Sequence, residues 1–234
     1  MWFALAMSGV LVLYNNVANR WPLFQGAAYV PLNLTVTAAV TLLCAVSLGL
    51  SRSELGLTGD RLDVAVSVVA LNIFVFGVFT IARSRHAHRI ADKRVADLRG
   101  GKLLYQVLVR VPLGTAVTEE LLFRGVLFAL WSEAGQSVPA SALWASIAFG
   151  LWHITPTIVG VRMNDAHASS RKVGTAVVGA IILTTLAGLG LTWLRLWTGG
   201  LVAPIVLHAG VNSIGTLAAV EGARACGKPP RPFR

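Results

Sequence analysis

The chain has 234 residues, of which 55% are hydrophobic and only 13% charged, against roughly 25% charged in ordinary soluble domains. That balance excludes a soluble globular enzyme and marks an integral membrane protein. The formal net charge of +10 fits cytoplasmic loops and contacts with anionic lipid headgroups, not a nucleic-acid partner.

Seven apolar runs follow one another. Met1–Ala18 is apolar from its first residue and lacks the basic start of a secretory signal, so it reads as a first span. A loop with Arg20, Pro22 and Gly26 leads to a second span over Val30–Leu50, which contains Cys44. A polar connection over Ser51–Arg61 precedes the third span, Leu62–Ala82, where Asn72 reads as a hydrogen-bonding partner for a neighbouring helix. The segment Arg83–Lys102 is the most basic, with seven Arg and Lys against Asp92 and Asp97, and is expected in the cytoplasm. The fourth span is Leu103–Trp131. The fifth is Pro139–Val161, which Pro156 kinks or ends. The sixth is Val173–Trp193, followed by a turn assigned to Arg195, Gly199 and Gly200. Leu201–Val220 is the seventh, and the proline-bearing tail Glu221–Arg234 reads as disordered. Cys44 and Cys226 have neither disulfide nor zinc spacing.

The expected fold is therefore all-α, a polytopic bundle of about seven transmembrane helices. Residues 1–102 form the first spans and the basic loop, 103–220 a catalytic core, and 221–234 a tail. Fixing the basic loop in the cytoplasm puts the N-terminus outside and the C-terminus in the cytoplasm, with most of the remaining Arg and Lys on the inner side of the plasma membrane.

The fourth span holds three charges, Glu119, Glu120 and Arg124. One charge at the centre of a spanning helix costs at least about 2.5–3.5 kcal/mol, so three persist only when paired or facing protein or water. Glu120 and Arg124 are four residues apart with the acid first, which stacks them on one helix face. Glu119 lies about 100° around the helix and is free to face elsewhere. A purely structural polar cluster would account for the three equally well.

Two later spans narrow the choice. Phe149 and His153 share a helix face in the fifth, and His208 and Asn212 share one in the seventh. Intramembrane ionisable residues distributed over three spans point to a functional site. The residue types suit hydrolysis of an acyl bond by water. A carboxylate in a partly dry site takes the proton, an imidazole orients the water, and a second imidazole with an amide stabilises the oxyanion. Glu119 with His153 is the expected first pair, and His208 with Asn212 the second. No Ser or Cys stands beside a His as a nucleophile would.

The run Glu-Glu-Leu-Leu-Phe-Arg at 119–124, Phe149 with His153, and His208 with Asn212 resemble the three signature motifs of the CPBP intramembrane proteases. That family comprises the CAAX-protease and bacteriocin-processing enzymes, including the Rce1-like prenyl-protein proteases. The resemblance implies an endopeptidase with Glu119 as catalytic carboxylate, His153 as its partner, His208 and Asn212 on the oxyanion side, and Glu120, Arg124 and Phe149 in support. Its partners would be membrane lipids and a peptide or protein substrate, lipid-modified or membrane-anchored. A metal-free reaction is expected, with no cofactor; a zinc ion on Glu119, His153 and His208 is the alternative, although no His-Glu-x-x-His helix is present. Two other classes compete, a proton-coupled transporter using the same Glu and His residues as a relay and a non-catalytic protein on the same fold. A transporter is expected to show repeated halves, which the sequence lacks.

Overall fold

A computed structural model describes residues 1–18, 20–21, 26–59, 61–82 and 91–226. Residues 83–90 of the basic segment and the tail from 227 lie outside the described residues, as do the side chains of Asn72 and Cys226; residues 221–226, expected to belong to a disordered tail, instead continue the last helix because they carry no proline to end it. Every regular element among the described residues is a helix.

Eight helices follow in chain order among the described residues. They are α1 (Trp2–Ala18), α2 (Tyr29–Leu48) and α3 (Arg61–Ala82), then α4, which runs unbroken from Gly100 to Glu133. After it come α5 (Val138–Trp152), α6 (Ile154–Asn164), α7 (Ser170–Thr198) and α8 (Val202–Cys226). Four helical stretches among the described residues are long and apolar enough to cross a membrane: α2, α5 continuing into α6, α7, and Val202–Arg224 of α8. The 17-residue α1 is apolar but shorter.

Local chemistry sets the ends. Gly49 and Gly199 close α2 and α7 with φ of 65° and 75°, a left-handed conformation that costs glycine nothing. Ser137 and Ser169 cap α5 and α7 by accepting the backbone N–H groups of Ala140 and Lys172. Inside α4 the turns widen to π geometry over Gln106–Val117 and again over Glu120–Leu127. Pro112 stands in the first stretch, where it has no N–H for the helical ladder, and the second carries the charges. Widened turns of this kind concentrate at functional sites.

The fifth span is two helices, not one. The break falls at His153 (φ −88°, ψ 3°), upstream of Pro156, because proline withdraws the hydrogen bond due to the carbonyl four residues earlier and crowds it. The turn expected at Arg195 lies further on. Arg195 is inside α7 and buried, its guanidinium donating to the backbone carbonyls of Arg124 and Glu54. This charge does not end the helix because its side chain has backbone acceptors within the protein.

The core is centred on the second half of α4. Leu122, Phe123, Val126 and Leu127 are fully buried, packed with Ala145, Ala148, Phe149 and Trp152 of α5 and with Leu11 of α1. Leu55, in the loop after α2, also enters it; its carbonyl lies 3.2 Å from where a side chain at Gly125 would begin. α5 and α7 approach closely at Gly150, where a Cβ would overlap Thr185 and stand 2.8 Å from the Ile181 carbonyl. Close approach through small residues is how helices associate in lipid.

Gly150→Ala is expected to destabilise by about 1–3 kcal/mol, the cost of overpacking. Gly174→Ala, elsewhere on α7 with nothing within 4 Å of the added carbon, should be neutral or stabilising. Thermal unfolding of both variants in detergent checks the contrast.

Candidate active site

The three charges of α4 are all buried: Glu119 is 6% exposed, Glu120 0% and Arg124 1%. Arg124 Nη1 donates to Glu120 Oε1 at 3.1 Å, the pairing that the four-residue spacing predicts. The guanidinium also lies over the Phe149 ring, 4.0 Å from its centroid. Gly188 of α7 leaves the room this requires, since a Cβ there would stand 3.2 Å from Arg124 Nη2.

α8 supplies the fourth charged group. His208 places Nδ1 2.7 Å from Glu120 Oε1 and Nε2 3.6 Å from Glu119 Oε2. The Glu120 carboxylate, paired with Arg124, is the acceptor here, so His208 Nδ1 carries the hydrogen of that bond. Nε2 then faces Glu119. Phe149 packs edge-on against the same imidazole at 6.1 Å.

Glu119 is held from the other side. Trp152 Nε1 donates to Glu119 Oε1 at 3.0 Å, while Glu119 Oε2 has no hydrogen-bond partner among the described residues. Phe123 fixes this indole, crossing Trp152 and Phe149 edge-on at 5.2 Å each. Sequence reasoning missed Trp152. Its signal is indirect: a buried indole N–H needs an acceptor, and Trp152 immediately precedes His153.

The remaining candidates stand apart. No hydrogen bond or ion pair joins His153 to Glu119, or Asn212 to His208, among the described residues. His153 sits at the α5–α6 break with Nδ1 2.8 Å from the Phe149 carbonyl. A carbonyl only accepts, so Nδ1 carries the hydrogen of that bond. The ring packs edge-on to Phe149 at 4.7 Å and lines a cavity of about 500 Å³ with Pro156 and Arg94. Asn212, one turn beyond His208, lines another of about 620 Å³ with Gln106, Arg110 and again Pro156 and Arg94. Asp92 is at this second cavity. Burial pushes its carboxyl up, but hydrogen bonds from Arg94 and Asn164 outweigh that and hold it below the usual carboxylate range.

Two carboxylates, one guanidinium and one imidazole thus form a single connected cluster. With both carboxylates and the guanidinium ionised the cluster carries one net negative charge, which a proton on His208 or Glu119 would balance. As a metal centre the arrangement fits poorly. No three His, Cys, Asp or Glu side chains among the described residues converge on a common point, His153 stands away from the other two proposed ligands, and His208 Nδ1 is committed to Glu120.

Neither a curated protein nor a solved structure matches the chain significantly. Residues 101–214, from the start of α4 into α8, match the model of the type II CAAX prenyl endopeptidase Rce1-like proteins. This segment carries Glu119, Glu120, Arg124, Phe149, His153, His208 and Asn212, and over it the chain is similar to the Rce1-like family of CAAX-type proteases.

Proposed function

We propose that the chain is an intramembrane endopeptidase in which Glu119, sharing one proton with His208, activates water against a peptide carbonyl. The carrying observation is the pair itself: Glu119 Oε2 without a hydrogen bond, 3.6 Å from His208 Nε2, beside a second carboxylate that Arg124 and His208 hold in place.

In the proposed reaction the water oxygen bonds to the scissile carbonyl carbon as Glu119 takes one of its protons. The C–N bond then breaks, and the leaving amine receives a proton from the Glu119–His208 pair. The products are a carboxylate and an amine. Glu120 orients His208 through Nδ1, as the third group of a hydrolytic triad orients its base. Asn212 supplies an N–H for the oxyanion, a contribution of about 3 kcal/mol. His153, at the break, passes protons between the site and the cavity it lines. This assigns His208, not His153, as the closest partner of Glu119.

A family of peptide hydrolases favours this reading over a proton-coupled transporter using the same residues. The substrate would be a peptide or protein at the membrane, lipid-modified or membrane-anchored. No metal is assigned a step. Seven crossings, with the N-terminus outside and the C-terminus in the cytoplasm, remain the proposed topology, supported by the distribution of basic residues.

Glu119→Gln retains the acceptor for Trp152 and should fold normally, yet lose about 10²–10⁴-fold in kcat, the usual weight of general acid–base catalysis. An internally quenched, prenylated CAAX-type peptide in liposomes is the probe; cleavage within tenfold of wild type removes the mechanism. Activity should also survive exhaustive chelation, with no stoichiometric zinc in the purified protein. Loss of activity that added zinc restores would establish a metal-dependent reaction instead. A C-terminal tag should be unreachable by impermeant reagents in intact cells, and labelling there would invert the topology.

A further inference from the structure

We propose that Asn15 and Asn16 of α1 are positioning residues of the active site, holding open the helix break that aims Trp152 at Glu119. The inference rests on the hydrolytic reading above and extends it to a helix outside the matched segment 101–214.

In an uninterrupted α-helix the N–H of Thr155 would bond to the carbonyl of Leu151, and the N–H of residue 156 to that of Trp152. Pro156 has no N–H, so the Trp152 carbonyl is orphaned. Asn15 Nδ2 donates to that carbonyl at 2.8 Å. The other pair is separated by Asn16. Its Oδ1 accepts the Thr155 N–H at 2.7 Å, and its Nδ2 donates to the Leu151 carbonyl at 3.0 Å. One carboxamide thus stands between two backbone groups that would otherwise bond each other, an insertion that kinks helices. Nδ2 of Asn16 is anchored in turn on the Val12 carbonyl of its own helix at 2.8 Å, and the Tyr14 ring lies 6.1 Å from the Trp152 ring.

The two residues at this break are the ones the site uses. Trp152 gives its indole N–H to Glu119 Oε1, and His153 is anchored on the Phe149 carbonyl. Without the asparagines, the Thr155 N–H and Leu151 carbonyl are free to bond each other, the chain rotates about His153, and the indole leaves Glu119.

The full-length Asn15→Ala/Asn16→Ala variant tests this with the same quenched prenylated peptide. It also uses ¹⁹F NMR of protein labelled with 5-fluorotryptophan, with the Trp152 signal assigned by its loss in Trp152→Phe. The expected result is a kcat lower by about ten- to hundred-fold, the cost of a small misplacement, with KM little changed. The Trp152 resonance should move towards its position in Glu119→Leu. Adding Pro156→Ala gives the Trp152 carbonyl an N–H partner and lets the helix close, so stability can recover while kcat stays low. Recovery of kcat in that triple variant would reduce the asparagines to a structural role and overturn the proposal, as would an unmoved Trp152 resonance in the double variant. If wild type cleaves no peptide, the hydrolytic reading falls alone and the resonance still decides whether the asparagines aim Trp152.

Discussion

A buried cluster of Glu119, Glu120, Arg124 and His208 is the constraint to which the rest of this molecule conforms. Each ion in it is affordable only because the others are there: removing one partner of a buried pair typically costs about 3–5 kcal/mol. The surrounding helices are therefore specified by what the cluster demands of them. α7 provides a glycine where the guanidinium needs room, α5 an aromatic face and an indole donor, and α8 the imidazole. α4 itself widens into π turns over Glu120 and Arg124, so a backbone geometry that is rare in proteins coincides with buried charges.

Division of labour between the two carboxylates follows from their partners. Glu120 Oε1 accepts from both Arg124 and His208, which holds it in place. Glu119 receives one indole hydrogen bond and keeps its other oxygen without one. Two adjacent residues of the same type thus occupy environments that suit an anchor and a base, and the asymmetry comes from α5 and α8, not from α4.

Local features of the fold and site were legible in the sequence, and long-range ones were not. The apolar runs located the helices because exclusion of polar groups from lipid acts residue by residue. The Glu120–Arg124 pair was readable because both partners lie on one helix, one turn apart. His208 was readable as a candidate but not as the neighbour of both glutamates, since its register against α4 is set by how two distant helices pack. Arg195 looked like the end of a span because nothing in its neighbourhood reveals the carbonyls of Glu54 and Arg124 that receive it. The break at His153 was half visible, through Pro156, but its exact place depends on α1.

That dependence says something about how the site is partitioned along the chain. The segment from 101 to 214 contributes every charge of the cluster, so a motif comparison captures the chemistry. What it leaves out is backbone satisfaction. In lipid an unpaired N–H or carbonyl has no water to turn to, and the helical irregularities that shape this site create such groups at Leu151, Trp152 and Thr155. The first 60 residues answer them with neutral amides on α1, and the loop after α2 presents the Glu54 carbonyl to Arg195. Charged residues define what the site can do, while uncharged donors and acceptors from outside the matched segment determine whether the bent backbone around it can exist in a membrane at all.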